Sequence, residues 1–83
     1  MDNERRVKIL ERSFEIMEEM LLKCFASNEE ELRHNLKIEG ERRLQEQKEK
    51  NLPVDEYIAI CEALTKLSGL SYEEIEEIYE LIQ

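Results

Sequence analysis

The sequence predicts an all-α domain of four helices, and three observations carry that expectation. Charged residues make up 40% of the 83 residues, and there are only two Gly, one Pro and no Trp. Glu, Leu, Lys and Arg, which dominate, lose little rotamer freedom in a helix. Apolar residues recur at steps of three and four, and no Asn-Gly or Asp-Gly signal separates alternating apolar residues as in a β-hairpin. A chain this short makes one domain at most and buries a thin core, so self-association has a physical motive. The expected helices span about 3–26, 28–50, 55–68 and 72–82.

In the first helix Val7, Leu10, Phe14, Met17, Leu21 and Cys24 form an a/d stripe over three heptads. Ile9, Ile16 and Met20 widen it until the apolar arc covers about half the circumference. A helix this broadly apolar touches at least two neighbours. Val7, Leu10, Phe14, Met17 and Leu21 are a candidate dimer seam as well as candidate core. Ser27 with Glu30 reads as a capping box that opens the second helix. The short connection folds the two helices back on each other.

The second helix begins with Leu32, Leu36 and Ile38. From Glu39 to Asn51 its only large apolar residue is Leu44, and Gly40 costs about 1 kcal/mol relative to Ala in a helix interior. Glu39 with Arg43, and Glu46 with Lys50, have ion-pair spacing. Segment 39–51 is therefore expected to be a polar helix projecting beyond the core, or a linker. Pro53 marks the next boundary, with Asp55 or Asn51 as N-cap. In the third helix Tyr57, Ile58, Ile60, Cys61, Leu64 and Leu67 point inward, leaving Ala59, Glu62 and Lys66 outward. Gly69 is expected to end it in the left-handed conformation. Ser71 with Glu74 is a second capping box. The fourth helix turns Tyr72, Ile75, Ile78, Tyr79 and Ile82 inward and Glu73, Glu74, Glu76, Glu77 and Glu80 outward.

The segment Thr65-Lys66-Leu67-Ser68-Gly69-Leu70-Ser71, with Ile75 and Ile78 after it, resembles a helix-turn-helix corner over about 20 residues. Gly69-Leu70-Ser71-Tyr72-Glu73-Glu74-Ile75 is also similar to a corner at the C-terminal ends of some bacterial recombination-promoting nuclease/transposase proteins. Nothing upstream extends that likeness. A helix that reads DNA through the major groove needs Arg, Lys, Asn or Gln on its outer face. Five glutamates stand there instead.

Charge sharpens this. The net charge is −9. Residues 1–50 hold 13 acids and 11 bases, whereas residues 51–83 hold 8 acids and a single base, Lys66. Direct binding to a phosphate backbone is disfavoured. No apolar run approaches the ~18 residues of a membrane span. Met1 to Arg6 leads straight into the first amphipathic pattern, so no cleavable signal is expected. Cys24 and Cys61 are expected as free thiols on apolar faces, in a reducing cytoplasm. His34, alone among charged residues, is expected in solvent.

Phosphate-loop, Cys-x-x-Cys, His-Glu-x-x-His and Gly-x-Ser-x-Gly motifs are missing. One His and two apolar-face cysteines do not make a triad. No cofactor or metal is expected. The expected function is non-catalytic: binding, and inhibition or regulation, of a partner protein with a basic surface, of which a nucleic-acid-binding protein is one kind. The acidic face would comprise Asp55, Glu56, Glu62, Glu73, Glu74, Glu76, Glu77 and Glu80. Small acidic inhibitors of phage and mobile elements are similar in length and charge. The alternative is a homodimeric scaffold or regulator whose corner does not read DNA.

Overall fold

A computed structural model describes residues 2–83. It has four helices and no strand among those residues: α1 (Asn3–Cys24), α2 (Glu29–Glu49), α3 (Val54–Gly69) and α4 (Tyr72–Ile82). The expected boundaries hold to within two residues. Cross-helix contacts give the directions. Asn35 meets Cys24, Glu39 meets Lys23 and Arg43 meets Glu19, so α2 runs antiparallel to α1. Arg33 reaches Leu67 while Gly40 meets Leu64, so α3 runs antiparallel to α2. Asp55 pairs with Arg5 and Lys66 reaches Ser13, so α3 advances alongside α1. The three helices form an up-down-up bundle, with α4 laid on α1.

The core is Ile9, Ile16, Met17, Met20, Leu21 and Cys24 from α1, with Leu32 and Leu36 from α2. Ala59, Ile60, Ala63 and Leu67 from α3, with Ile75 from α4, complete it. Two expectations change here. Ala59, expected outward, is fully buried together with Ala63. These small side chains, one turn apart, let the α3 backbone approach its neighbours, while the larger Tyr57 is half-exposed at the flank. The α1 stripe is also split. Met17 and Leu21 are core, whereas Val7 (51% exposed), Leu10 (38%) and Phe14 (52%) are not. Met17 and Leu21 are therefore removed from the candidate seam.

Helix ends are closed by local polar groups. Asp2 accepts from the Arg5 amide at 2.8 Å. The α2 cap is Asn28, one residue beyond the expected Ser27, and its Oδ1 accepts from the Glu31 amide at 2.8 Å. Ser71 and Glu74 make the full reciprocal capping box at 3.1 and 2.9 Å. Pro53 precedes α3 without a side-chain cap, so neither Asp55 nor Asn51 serves there. Asn51 instead closes α2. At φ 50° it is the one non-glycine residue with positive φ among the described residues. The Leu52 amide then donates to the Gln47 carbonyl at 3.1 Å and the Asn51 amide to Lys48 at 3.3 Å. That is a Schellman closure with Asn in the left-handed position.

Gly69 stays in the helix, with no positive φ. Its expected capping role falls to Arg33, whose guanidinium donates to the Leu67 carbonyl at 3.0 Å and the Leu70 carbonyl at 2.6 Å. The other glycine also has a packing role. A Cβ on Gly40 would lie 2.8 Å from Leu64 Cδ2, so α2 and α3 approach closely at this point. Segment 39–51, expected to project or to be a linker, is helical through Glu49, and Glu39 and Gly40 at its start are buried.

Leu70 and Ser71 alone connect α3 to α4. Both helices pack chiefly on α1, and the helix-turn-helix resemblance is not confirmed. At the end of α1, Phe25 stacks on Tyr79 at 4.0 Å between centroids, and the Tyr72 hydroxyl donates to the Ala26 carbonyl at 2.9 Å. Those contacts fix where α4 starts and which face it shows to solvent.

Candidate functional site

The structure divides the eight acidic candidates into two groups. The three on α3 are matched by cations within the fold. Asp55 accepts from Arg5 Nε through both oxygens, at 3.0 and 3.1 Å. This contact holds the Asp55 carboxyl below its ordinary range, mainly through the hydrogen bond from Arg5. Glu56 is more enclosed, and accepts from Arg12 Nε and Nη2 at 3.0 to 3.2 Å. Glu62 takes Lys66 at 3.2 Å one turn away. The Lys66 ammonium also lies 5.2 Å from the Phe14 ring centroid. These acids hold α3 to α1 and to itself.

The five on α4 have a different setting. Glu73, Glu74, Glu76, Glu77 and Glu80 are all exposed, and none has a cation within ion-pair distance among the described residues. Glu74 serves the capping box; the other four have no such structural duty. The reason is in the order of residues. Ile75, Ile78, Tyr79 and Ile82 sit on the α1-facing side, and only glutamates fill the positions between them up to Glu80. No Lys or Arg occurs from Leu70 to Gln83 that could supply a partner at i, i+4.

One acid outside the eight candidates joins their field. The Tyr72 phenol is pushed up, first by burial and then by the negative charges of Glu76, Glu29 and Glu73. Glu29, at the start of α2, thus adds its charge at the start of α4, although it also pairs with Arg33 at 3.2 Å. Its place follows from α2 and α4 both packing on α1, which no local pattern encodes.

The largest ionic network lies elsewhere. Glu39 is 4% exposed. Arg42 grips both its oxygens at 2.8 Å, Arg43 adds a contact at 3.1 Å and Lys23 one at 3.2 Å. The Arg42 hydrogen bonds, seconded by Lys23 against the opposing cost of burial, pull the Glu39 carboxyl down to about 2. Arg43 passes on to Glu19 at 3.0 Å, and Glu19 to Arg12 at 3.2 Å. The belt therefore runs Glu39–Arg43–Glu19–Arg12–Glu56 and ties α2, α1 and α3 together. The expected pairs Glu39–Arg43 and Glu46–Lys50 are both present, at 3.1 and 3.8 Å.

Both cysteines are free thiols. Cys24 is buried, its thiol pushed up mainly by that burial, and it lies 3.6 Å from the Asn35 carbonyl. Cys61 is half-buried and His34 is exposed. No group of three His, Cys, Asp or Glu side chains among the described residues is placed to hold a metal ion. No helix among them is long and apolar enough to cross a membrane. No protein-family model, curated protein or solved structure matches the chain.

Proposed function

We propose that the chain is a non-catalytic cytoplasmic protein that binds a basic surface of a partner protein through the outer face of α4. By occupying that surface it inhibits or regulates the partner. A nucleic-acid-binding groove is the kind of surface it fits, because a row of carboxylates offers the charge that a phosphate backbone would. The observation that carries this reading is the contrast between α3 and α4. The acids of α3 are used up by Arg5, Arg12 and Lys66, whereas Glu73, Glu76, Glu77 and Glu80 stand uncompensated in a row. The site is therefore narrower than the eight residues expected from sequence.

The test is capture of basic proteins from a cell lysate by the whole chain, followed by titration of the captured partner. Binding should weaken steeply with salt, since exposed charges are screened beyond a Debye length of about 10 Å at 0.1 M. The partner's hold on DNA or RNA should fall as the chain is added. Capture that persists unchanged on the variant Glu73→Lys/Glu76→Lys/Glu77→Lys refutes the reading.

A further inference from the structure

We propose that α1 also forms a weak, parallel homodimer through Val7, Leu10 and Phe14. The heptad stripe of α1 is closed over at Met17 and Leu21, toward the end of the helix where Phe25 and Ala26 meet α4. Its first half continues in the same register but stays open to solvent: Val7, Leu10 and Phe14 are each more than a third exposed, with the Lys66 ammonium beside the Phe14 ring. Three apolar side chains at a, d and a, bare and in line, are the start of a coiled-coil seam.

The flanking charges choose the occupant and its direction. Arg6 precedes Val7 at the g position, and Glu11 follows Leu10 at the e position. Both are exposed, and neither belongs to an ion pair among the described residues, although nine of the twelve cations do. In a parallel pair, g of one helix meets e of the next heptad on the other. Arg6 would then meet Glu11 of the second copy, twice by symmetry.

An antiparallel pair sets like flanks together. Glu4, Glu11 and Glu18 occupy e in three successive heptads, so that arrangement places glutamate against glutamate. Past Phe14 the two α1 helices must diverge, because the stripe there is core. Three side chains fall well short of the ~800 Å² per partner of a standard interface, so the dimer is weak and reversible. It carries α4 once on each copy and would present two acidic faces.

The test uses the full chain in sedimentation equilibrium from micromolar to millimolar concentration, with circular dichroism as the check on folding. Phe14→Ser, on an exposed side chain, should leave the fold intact and weaken dimerisation at least about tenfold. Arg6→Glu and Glu11→Arg should each weaken it, and the two together should restore it.

Direction is read separately. In a Cys61→Ser background, Val7→Cys should form a disulfide dimer on mild oxidation, because Val7 meets its own counterpart only in a parallel pair. A monomer up to millimolar concentration overturns the proposal. So does failure of the double swap to restore association, or of Val7→Cys to cross-link. Glu73→Lys/Glu76→Lys/Glu77→Lys should leave the dimer in place, which keeps this result apart from partner binding by α4.

Discussion

Replacing Glu39 by Gln tests the belt at its most enclosed point. The carboxylate is 4% exposed and receives Arg42, Arg43 and Lys23. Its shift from 4.5 to about 2 corresponds to about 3 kcal/mol at 1.36 kcal/mol per pH unit. The Arg42 and Lys23 side chains are about half exposed, and solvent screens their share. A loss of about 2 kcal/mol at neutral pH is therefore expected, or a fall of about 10 °C in Tm for a chain this size.

The sign follows from linkage. The folded carboxyl titrates below the unfolded one, so its stabilisation is complete above about pH 5 and is lost as pH falls through about 2. Urea unfolding followed by circular dichroism at pH 7 and pH 2 measures both ends. Glu39→Gln should be clearly weaker than wild type at pH 7, with most of the difference gone at pH 2. A variant within about 0.5 kcal/mol of wild type at pH 7 refutes the reasoning. A deficit that stays the same at both pH values does so too.

Substitutions at three further positions test the packing and the helix ends. Gly40→Ala should change stability by less than about 1 kcal/mol, because the helix-propensity gain offsets a small displacement of the flexible end of Leu64. Gly40→Leu should cost about 2 kcal/mol or more, read by the same urea titration. Arg33→Ala removes the donor to the Leu67 and Leu70 carbonyls and should cost about 1–3 kcal/mol, with amide exchange rising first at the end of α3. Asn51→Gly should be neutral or slightly stabilising in Tm, whereas Asn51→Val, forced to φ 50°, should cost about 1 kcal/mol or more.

What could be read from sequence were the features set by neighbours in the chain. The four helices, the Ser71–Glu74 capping box and the inward Ile75 are local patterns, and the structure has all of them. The α4 glutamates were legible for the same reason, since apolar positions at helical spacing leave the rest outward. What could not be read depends on which helix lies opposite. Ala59 falls outside the stripe of large apolar residues on α3, yet its smallness is what allows the close approach. Gly40 looked like a weak point in a solvated helix until Leu64 lay against it. Asp55 and Glu56 looked free because Arg5 and Arg12 are some 50 and 44 residues away in sequence. Met17 and Leu21 share a heptad register with Val7 and Phe14, and only the covered end of α1 tells them apart.

The central claim is that the acids of α4 serve binding and those of α3 serve the fold. The most direct measurement compares two full-length variants, Asp55→Lys/Glu56→Lys and Glu73→Lys/Glu76→Lys/Glu77→Lys, for Tm and for affinity toward the captured basic partner at low salt. The account predicts that the α3 variant loses Tm by setting cations against Arg5 and Arg12. The α4 variant should keep its Tm and lose affinity by about a hundredfold or more. An α4 variant that binds as tightly as wild type contradicts the account.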